Sequence, residues 1–146
     1  MVEKSAGAVV FRRENKKIYY LLLHYPSVSH RAEKDYWDFP KGHVEKGEKE
    51  IDTVKREVFE ETGLKDIEFI EEFKEWIKYF FKYEGKTVFK IVTFYLTETK
   101  SEEVKISEEH IGYEWLPYEE AIKQLTFKNA KEILRKANAF LTNLHE

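Results

Sequence analysis

Three glutamates close to residue 60 have the spacing and the chemistry of a metal site. Glu57, Glu60 and Glu61 are three and four positions apart, so on a helix they lie on adjacent turns. Like charges at this spacing destabilise a helix by roughly 0.2–0.5 kcal/mol per pair, and Arg56 alone cannot balance them. A hard divalent cation binds carboxylate oxygens together with water and phosphate. The cluster therefore indicates a cation site, with a solvated acidic surface as the alternative.

The segment from Glu48 to Gly63 is expected to be the helix that carries these glutamates. Ile51, Val54 and Val58 recur at helical spacing and predict its buried stripe. Gly63 is suited to end the helix in a left-handed conformation. The glutamates would then lie on a flank beside the stripe, after a loop that contains the sequence Lys-Gly at 41–42.

The complete pattern resembles the signature of the Nudix hydrolases, without a departure. It comprises Gly42, Glu48, the pairs at 56–57 and 60–61, and Gly63 followed by an aliphatic residue. The resemblance implies an α/β/α sandwich of the α/β (α+β) class with a mixed β-sheet. It also implies hydrolysis of a pyrophosphate linkage by metal-activated water. The cofactor would be Mg²⁺ or Mn²⁺, held by Glu57, Glu60, Glu61 and the Gly42 carbonyl. Arg56 is expected to orient the glutamates through charge-assisted hydrogen bonds. Glu48 is expected to act on the groups that bind the metal, without binding it directly.

Passages outside this signature resemble one branch of the family, the asymmetrical diadenosine tetraphosphate hydrolases. They are residues 6–13, 37–44 and 107–121, the last beginning Ser-Glu-Glu-His. The resemblance implies cleavage of diadenosine tetraphosphate to ATP and AMP. It also makes Glu109 a further metal ligand or the general base. The alternative is that Glu109 is an ordinary acidic loop residue, capped locally by Ser107.

Two lysines are candidates for binding the phosphates of such a substrate. Lys41 lies beside the signature loop. Lys90 falls in a β-rich run, where alternation places it on the same face as Val88 and Val92. A cation on that face is costly unless it meets an anion, and the resemblance implies a phosphate-binding lysine here. His43 is a second-rank candidate for substrate binding.

Aromatic residues are candidates for binding the nucleosides, because stacking contributes about 1–3 kcal/mol per base. The resemblance implies substrate contacts for Tyr36, Tyr83 and Phe127. Tyr36 replaces the His of many relatives, and Phe127 replaces the Tyr of some. Most other rings, including Trp76 and Trp115, are expected in the core.

Periodicity and turn residues predict the remaining elements. Strands are expected over residues 6–11, 18–23, 67–81, 87–97 and 112–116, an extended piece over 36–40, and helices from Pro117 through 121 and over 128–144. Pro117 would occupy the first helical position, where its missing N–H costs nothing. This order predicts a mixed sheet between helices.

Composition limits the class of protein. The 146 residues suffice for a single domain, 1–146, with one substantial core. A net charge of −3, with no basic stripe, argues against a stable nucleic-acid partner. No cysteine is present, and no apolar run suggests a signal peptide or a membrane span. We expect a cytoplasmic protein, monomeric or dimeric, that acts on a small nucleotide. The polar segment 27–35 is either a lid or a linker.

Other interpretations accept the same signature but assign the protein a different substrate or no catalytic activity. A nucleoside-triphosphate pyrophosphatase or an RNA 5′-pyrophosphohydrolase would share the metal site, although RNA favours a basic path that this chain lacks. ADP-ribose is less favoured as a substrate because no sugar-specific motif is evident. A non-enzymatic nucleotide sensor is least favoured because such proteins typically have a degraded signature.

Overall fold

The computed structural model describes residues 2–27 and 34–143. The proposed lid or linker at 27–35 lies mostly outside them, as does residue 144 of the last predicted helix. The described elements are β1 (Val2–Glu14), β2 (Lys17–Tyr25), β3 (Tyr36–Asp38), β4 (Lys41–His43), α1 (Glu50–Thr62), β5 (Glu68–Tyr83), β6 (Lys86–Glu98), β7 (Gly112–Leu116), α2 (Tyr118–Gln124) and α3 (Lys128–Asn143). No described helix has the length and apolar character needed to cross a bilayer.

The strands form one mixed sheet in the order β3-β2-β1-β6-β5, with β4 paired to β1 and β7 paired to β2. The β1–β6 pair is parallel and the others are antiparallel. Residues 41 and 42, expected in a loop, instead form strand β4, in which Gly42 pairs with Ala6 and Lys41 pairs with Gly7. That expectation was wrong because pairing with β1 satisfies the backbone groups of this segment.

Two hydrophobic clusters lie on opposite faces of the sheet, because side chains alternate along each strand. In β1, Val9 and Phe11 pack with α2 and α3. Ala8 and Val10 point the other way and pack with α1. The predicted sandwich of helices around a mixed sheet is confirmed.

Helix α1 differs from its prediction in which residues it buries. Ile51, expected in the buried stripe, has 43% of its surface exposed, whereas Val54 and Val58 are buried. Glu61 is also buried. The buried stripe of α1 therefore begins at Val54 and does not include Ile51. One of the glutamates, Glu61, lies on the same buried face. Gly63 ends the helix as predicted, with φ of 77° and its N–H donating to the Phe59 carbonyl at 2.8 Å.

Three further details correct the sequence analysis. Trp76 is 51% exposed and outside the core, because β5 is an edge strand and α3 contacts the alternate side chains of this strand, those of Phe73 and Glu75. Trp115 is partly buried against the α1 cluster. Pro117 precedes α2 as its N-cap, with extended ψ of 163°, and does not occupy the first helical position.

Candidate active site

Arg56 is the centre of the polar network on α1. Its Nε donates to Glu48 Oε2 at 2.9 Å, and its Nη2 donates to Glu48 Oε1 and to the His43 carbonyl at 3.0 Å each. Its Nη1 donates to Glu57 Oε1 at 2.6 Å. The same Nη1 lies 3.5 Å from Glu60 Oε2. One guanidinium therefore joins β4, the segment before the helix, and two of the candidate metal ligands.

Glu48 is held as an anion by this network. Hydrogen bonds from Arg56, and then from the Thr53 hydroxyl, lower the pKa of Glu48 to about 2. Its Oε1 also accepts from the Glu45 N–H at 3.0 Å and from Thr53 at 2.6 Å. All of these donors stay in place when Glu48 is ionised, so it acts as a fixed acceptor that positions Arg56.

Glu57 and Glu61 lie against each other on successive turns. Burial raises the pKa of Glu57 to about 7, and contact with Glu61 adds to the effect. Burial likewise raises the pKa of Glu61 to about 7. Two adjacent carboxylates that resist ionisation are the chemistry expected where a cation would neutralise them.

One oxygen of Glu61 has hydrogen-bond partners and the other does not. Its Oε1 lies 3.1 Å from the Tyr25 hydroxyl and 3.2 Å from Nε2 of His110. Its Oε2 is buried without a hydrogen-bond partner among the described residues. A buried carboxylate oxygen that lacks a donor is costly, and a bound divalent cation would satisfy it. The residues present therefore fit a cation at this end of α1.

Glu60 lies on the outer side of the helix. Its side chain is 54% exposed and faces Arg56. Within the described ranges, no three Asp, Glu or His side chains converge into a metal-ligand cluster. Of the three glutamates predicted to bind metal, Glu57 and Glu61 lie against each other, whereas Glu60 is linked to Glu57 through Arg56 Nη1.

Gly42 allows β4 to approach the helix. A Cβ at this position would lie 2.1 Å from the Glu57 carboxyl carbon and 2.3–2.4 Å from its two oxygens. A side chain and the Glu57 carboxylate therefore cannot occupy this space together. The glycine of the signature brings its backbone beside a carboxylate, as expected for a position whose carbonyl contributes to a cation site.

A cavity of about 520 Å³ opens on the other side of β4. All six residues predicted to bind substrate line it, namely Tyr36, Lys41, His43, Tyr83, Lys90 and Phe127. Asp38, Ile77 and Tyr79 are among the other lining residues. Its size lies within the roughly 300–1,000 Å³ of small-molecule sites. Lys41 and His43 point into the cavity while Gly42 between them faces α1, so this short strand separates the cavity from the glutamates.

Three lysines line the cavity, and the two predicted from the sequence, Lys41 and Lys90, are held in partly or fully buried positions. Lys41 Nζ donates to Asp38 Oδ2 at 2.8 Å. Burial is the largest influence and lowers the pKa of Lys41, but the charge of Asp38 and the hydrogen bond to it, together with smaller contributions, outweigh burial, and the net pKa is raised. Lys90 is buried on the same face as Val88 and Val92, as its alternation predicted. The cavity thus contains two positioned cations suited to phosphate oxygens, with the exposed Lys82 as a third lysine in its lining.

Two of the aromatic residues that line the cavity, Tyr36 and Phe127, contact each other, and Tyr36 also contacts Tyr25 on β2. Tyr36 stacks on Tyr25, with centroids 4.9 Å apart and planes at 6°, and packs against Phe127 at 5.3 Å. Phe127 and Tyr83 are exposed at the cavity wall. Ring faces at these positions can bind a flat base by stacking.

Glu109 lies in a turn whose next residue, His110, contacts Glu61. Its N–H donates to Ser107 Oγ at 3.3 Å, which agrees with the local capping alternative. Burial is the main cause of the raised pKa of Glu61, and the charge of Glu109 contributes. Glu109 therefore lies near the glutamates of α1, on their side of the sheet and outside the residues that line the cavity.

The residue pattern predicted no role for Tyr25, Asp38 or His110. The Asp38 carboxylate is buried and binds Lys41, while Tyr25 and His110 contact Glu61. Asp38 and His110 belong to motifs that carried the resemblance, so their position was a signal for a role. Nothing in the sequence near Tyr25 marks it, since its partner lies 36 positions away.

Comparisons with known proteins agree with this geometry. The model of the NUDIX domain family matches residues 1–137. The asymmetrical bis(5′-nucleosyl)-tetraphosphatase of Mus musculus is 34% identical over 97% of this chain and 97% of its own length. An RNA pyrophosphohydrolase of Bartonella bacilliformis is 35% identical over 56% of this chain and 48% of its own length. A crystal structure of a C. elegans Ap4A hydrolase binary complex superposes with a TM-score of 0.80 and 33% identity, covering 97% of this chain and 98% of that one.

Proposed function

The chain belongs to the Nudix family, and from this premise we propose that it is a metal-dependent hydrolase that cleaves diadenosine tetraphosphate asymmetrically to ATP and AMP. The observation that carries the proposal is the joint arrangement of cavity and carboxylates. The lysines and aromatic residues predicted to bind substrate line one cavity, and β4 lies between this cavity and the paired glutamates of α1. Full-length similarity to a protein named for this activity supports the same substrate.

A divalent cation, Mg²⁺ or Mn²⁺, would supply charge neutralisation at phosphate oxygens and a bound water of lowered pKa. Glu57 and Glu61 would hold it, with Glu60 and the Gly42 carbonyl as further ligands. Glu60 would have to turn from Arg56 to take part. Arg56 would keep Glu57 directed towards the site while its other donors remain on Glu48.

The remaining steps belong to the chain's own residues. Lys41 and Lys90 would bind phosphate oxygens, and Tyr36, Tyr83 and Phe127 would bind a base or ribose, with His43 at the cavity mouth. Water attacks one phosphorus atom, the bond from that phosphorus to its bridging oxygen breaks, and ATP and AMP leave. Glu109 is our candidate for accepting the proton of the attacking water, because its charge lies near Glu61.

RNA 5′-pyrophosphohydrolysis is the second candidate, supported by the relative from Bartonella bacilliformis. That similarity covers about half of each chain, whereas the similarity to the tetraphosphatase is full-length. The cytoplasmic location expected from the sequence stays a prediction.

Product analysis tests the proposal. Purified protein with Mg²⁺ is incubated separately with diadenosine tetraphosphate, GTP, dNTPs, ADP-ribose and triphosphorylated RNA, and the nucleotides are separated by chromatography. Equal ATP and AMP, formed faster than any other product, are expected. Release of phosphate or pyrophosphate from RNA ends with an intact dinucleotide would support the second candidate and reject the first. Glu60→Gln is the matched control, since loss of turnover with folding intact excludes a contaminating hydrolase.

A further inference from the structure

Glu61 is the only buried member of the three candidate glutamates, and the side chains that lie at hydrogen-bond distance from its Oε1 come from outside the signature. The residue is buried on the inner face of α1. Both of its polar side-chain contacts at hydrogen-bond geometry involve Oε1, from Tyr25 on β2 and His110 before β7. Two elements distant in sequence therefore bind Oε1, while the backbone of Lys41 on β4 and the side chain of Glu57 also lie close enough to influence this carboxylate.

The hydrogen bonds around His110 define which ring nitrogen carries the proton. Ser107 Oγ accepts from the Glu109 N–H at 3.3 Å and lies 2.8 Å from His110 Nδ1. Nε2 faces an oxygen of Glu61, which accepts when it is ionised. Nε2 must then be the protonated nitrogen, and Ser107 donates its own proton to Nδ1. Each hydrogen bond in this series determines the direction of the next.

Tyr25 on β2 links the Glu61 carboxylate to Phe39, in the segment that precedes β4. Its hydroxyl lies 3.1 Å from Glu61 Oε1 and 2.9 Å from the Phe39 carbonyl, and these two acceptors share its one proton. Its ring packs edge-on against His110 at 4.5 Å and stacks on Tyr36 at 4.9 Å. The hydroxyl is thereby kept beside Glu61 by two ring contacts and by the segment that leads into β4.

We propose that Tyr25 and His110 are positioning residues that bind Oε1 of Glu61 and so keep Oε2 directed, without a protein donor, at the cation. The inference deepens the metal-dependent function proposed above and rests on it. Oε2 is buried and lacks a hydrogen-bond partner among the described residues. Partners that orient a ligating carboxylate are typically worth about 10–100-fold in metal affinity or activity.

The same series connects Glu61 to Glu109. The turn that carries Glu109 is joined to His110 through Ser107, and the backbone N–H of Ile111 donates to the His24 carbonyl at 2.9 Å. Any shift of His110 therefore moves the candidate proton acceptor together with the carboxylate. Loss of His110 is expected to lower kcat as well as metal affinity, whereas the KM for the dinucleotide changes little because the cavity residues are untouched.

Direct binding of Mn²⁺ tests the proposal independently of turnover. The free Mn²⁺ signal is followed by electron paramagnetic resonance during titration of wild type, Tyr25→Phe, His110→Ala and His110→Gln. We expect about 10–100-fold weaker binding for Tyr25→Phe and His110→Ala. His110→Gln should lose less, because its amide N–H can replace Nε2–H. Tyr95→Phe is the matched control, since Tyr95 donates at 2.7 Å to Glu50 on the same helix, and its Mn²⁺ affinity should not change.

The outcomes separate this proposal from the assigned function. Equal Mn²⁺ affinity in wild type and all variants would overturn it. Wild-type Mn²⁺ binding without dinucleotide cleavage, with the variants weakened, would support it and reject the substrate. A wild type that binds no Mn²⁺ would reject both. Should His110→Ala fail to fold, Ser107→Ala is the substitute, because it removes the hydrogen bond to His110 Nδ1 at a partly buried position. Unchanged Mn²⁺ affinity in both Ser107→Ala and Tyr25→Phe would overturn the proposal.

Discussion

At the scale of single residues, the geometry of Arg56 matters more than its charge. Its planar guanidinium donates to Glu48 through Nε and Nη2 while Nη1 donates to Glu57. A lysine carries the same charge on one flexible ammonium and cannot reproduce this fork. The residue thus transmits the fixed position of Glu48 to a candidate metal ligand.

Arg56→Lys is therefore expected to lower kcat about 10–100-fold, as typically follows from loss of a partner that orients a metal ligand. Steady-state kinetics at saturating Mg²⁺ measures the effect. Arg135→Lys is the control, because Arg135 also donates through two nitrogens, to Glu132, but in an exposed pair on α3. Equal loss in both variants, or in neither, would contradict the assigned role.

The carboxylate pair predicts a pH dependence of stability. Burial raises the pKa of Glu57 and of Glu61 to about 7 in the metal-free protein. The folded state then binds protons more tightly than the unfolded chain, so the contribution of the pair is complete below the ordinary pKa near 4.5 and is lost as the pH rises through 7. Added Mg²⁺ should reverse the loss, because the cation replaces the protons.

Melting temperatures in EDTA between pH 5 and pH 8 measure this contribution. Glu61→Gln is expected to decrease less than wild type across this range, because one of the two titrating groups is gone. The stabilisation by Mg²⁺ should increase with pH in wild type and be smaller in the variant. Parallel decreases in the two proteins would show that the pair does not titrate in this range.

At the scale of elements, the approach of β4 to α1 determines the distance between backbone and carboxylate. Gly42→Ala would place a methyl group 2.1 Å from the Glu57 carboxyl carbon, so the glutamate must move. A displacement of about 1 Å at an active site can cost about 100-fold in rate, and we expect a loss of that order in kcat. Gly112→Ala in β7, whose new Cβ would meet nothing closer than 3.8 Å, should retain activity. Retained activity in Gly42→Ala would show that turnover does not require the close approach of β4 to α1.

Alternation of side chains along β6 places Lys90 in the lining of the cavity. Lys90→Met keeps the length of the side chain but removes its charge. Loss of one charge-assisted hydrogen bond, worth about 1.5–3 kcal/mol, should raise the KM for the dinucleotide about 10–100-fold. Lys86→Met, at the exposed start of the same strand, should leave KM within about twofold of wild type. An unchanged KM in Lys90→Met would remove Lys90 from the substrate site.

At the scale of the whole molecule, the site is divided between the two faces of the sheet. The lysines and rings line a cavity bordered by Ala130 at the start of α3, whereas the glutamates belong to α1 on the opposite face. The two halves meet at β4, where Lys41 and Gly42 point in opposite directions. A substrate that uses both halves must cross this strand, and a long polyphosphate chain with a base at its end has the shape for it.

The sequence by itself determined the features that depend on local order. The span of α1, its end at Gly63 and the inward direction of Lys90 follow from residue spacing, which determines how side chains alternate or recur. The fold and the family followed from one uninterrupted signature. The six predicted substrate residues came from resemblance, and the structure gathers them around one cavity.

Only the tertiary structure decided how the glutamates differ from one another. Local spacing places all three on one flank of the helix, but packing against the sheet buries Glu61 and leaves Glu60 exposed. The partners of Glu61 are 36 and 49 positions away in the chain, beyond the reach of any local pattern. Ile51 was misassigned for the same reason, since periodicity identifies an apolar stripe but not how far the opposing surface extends. Side-chain environment depends on which elements meet, and that is a property of the assembled fold.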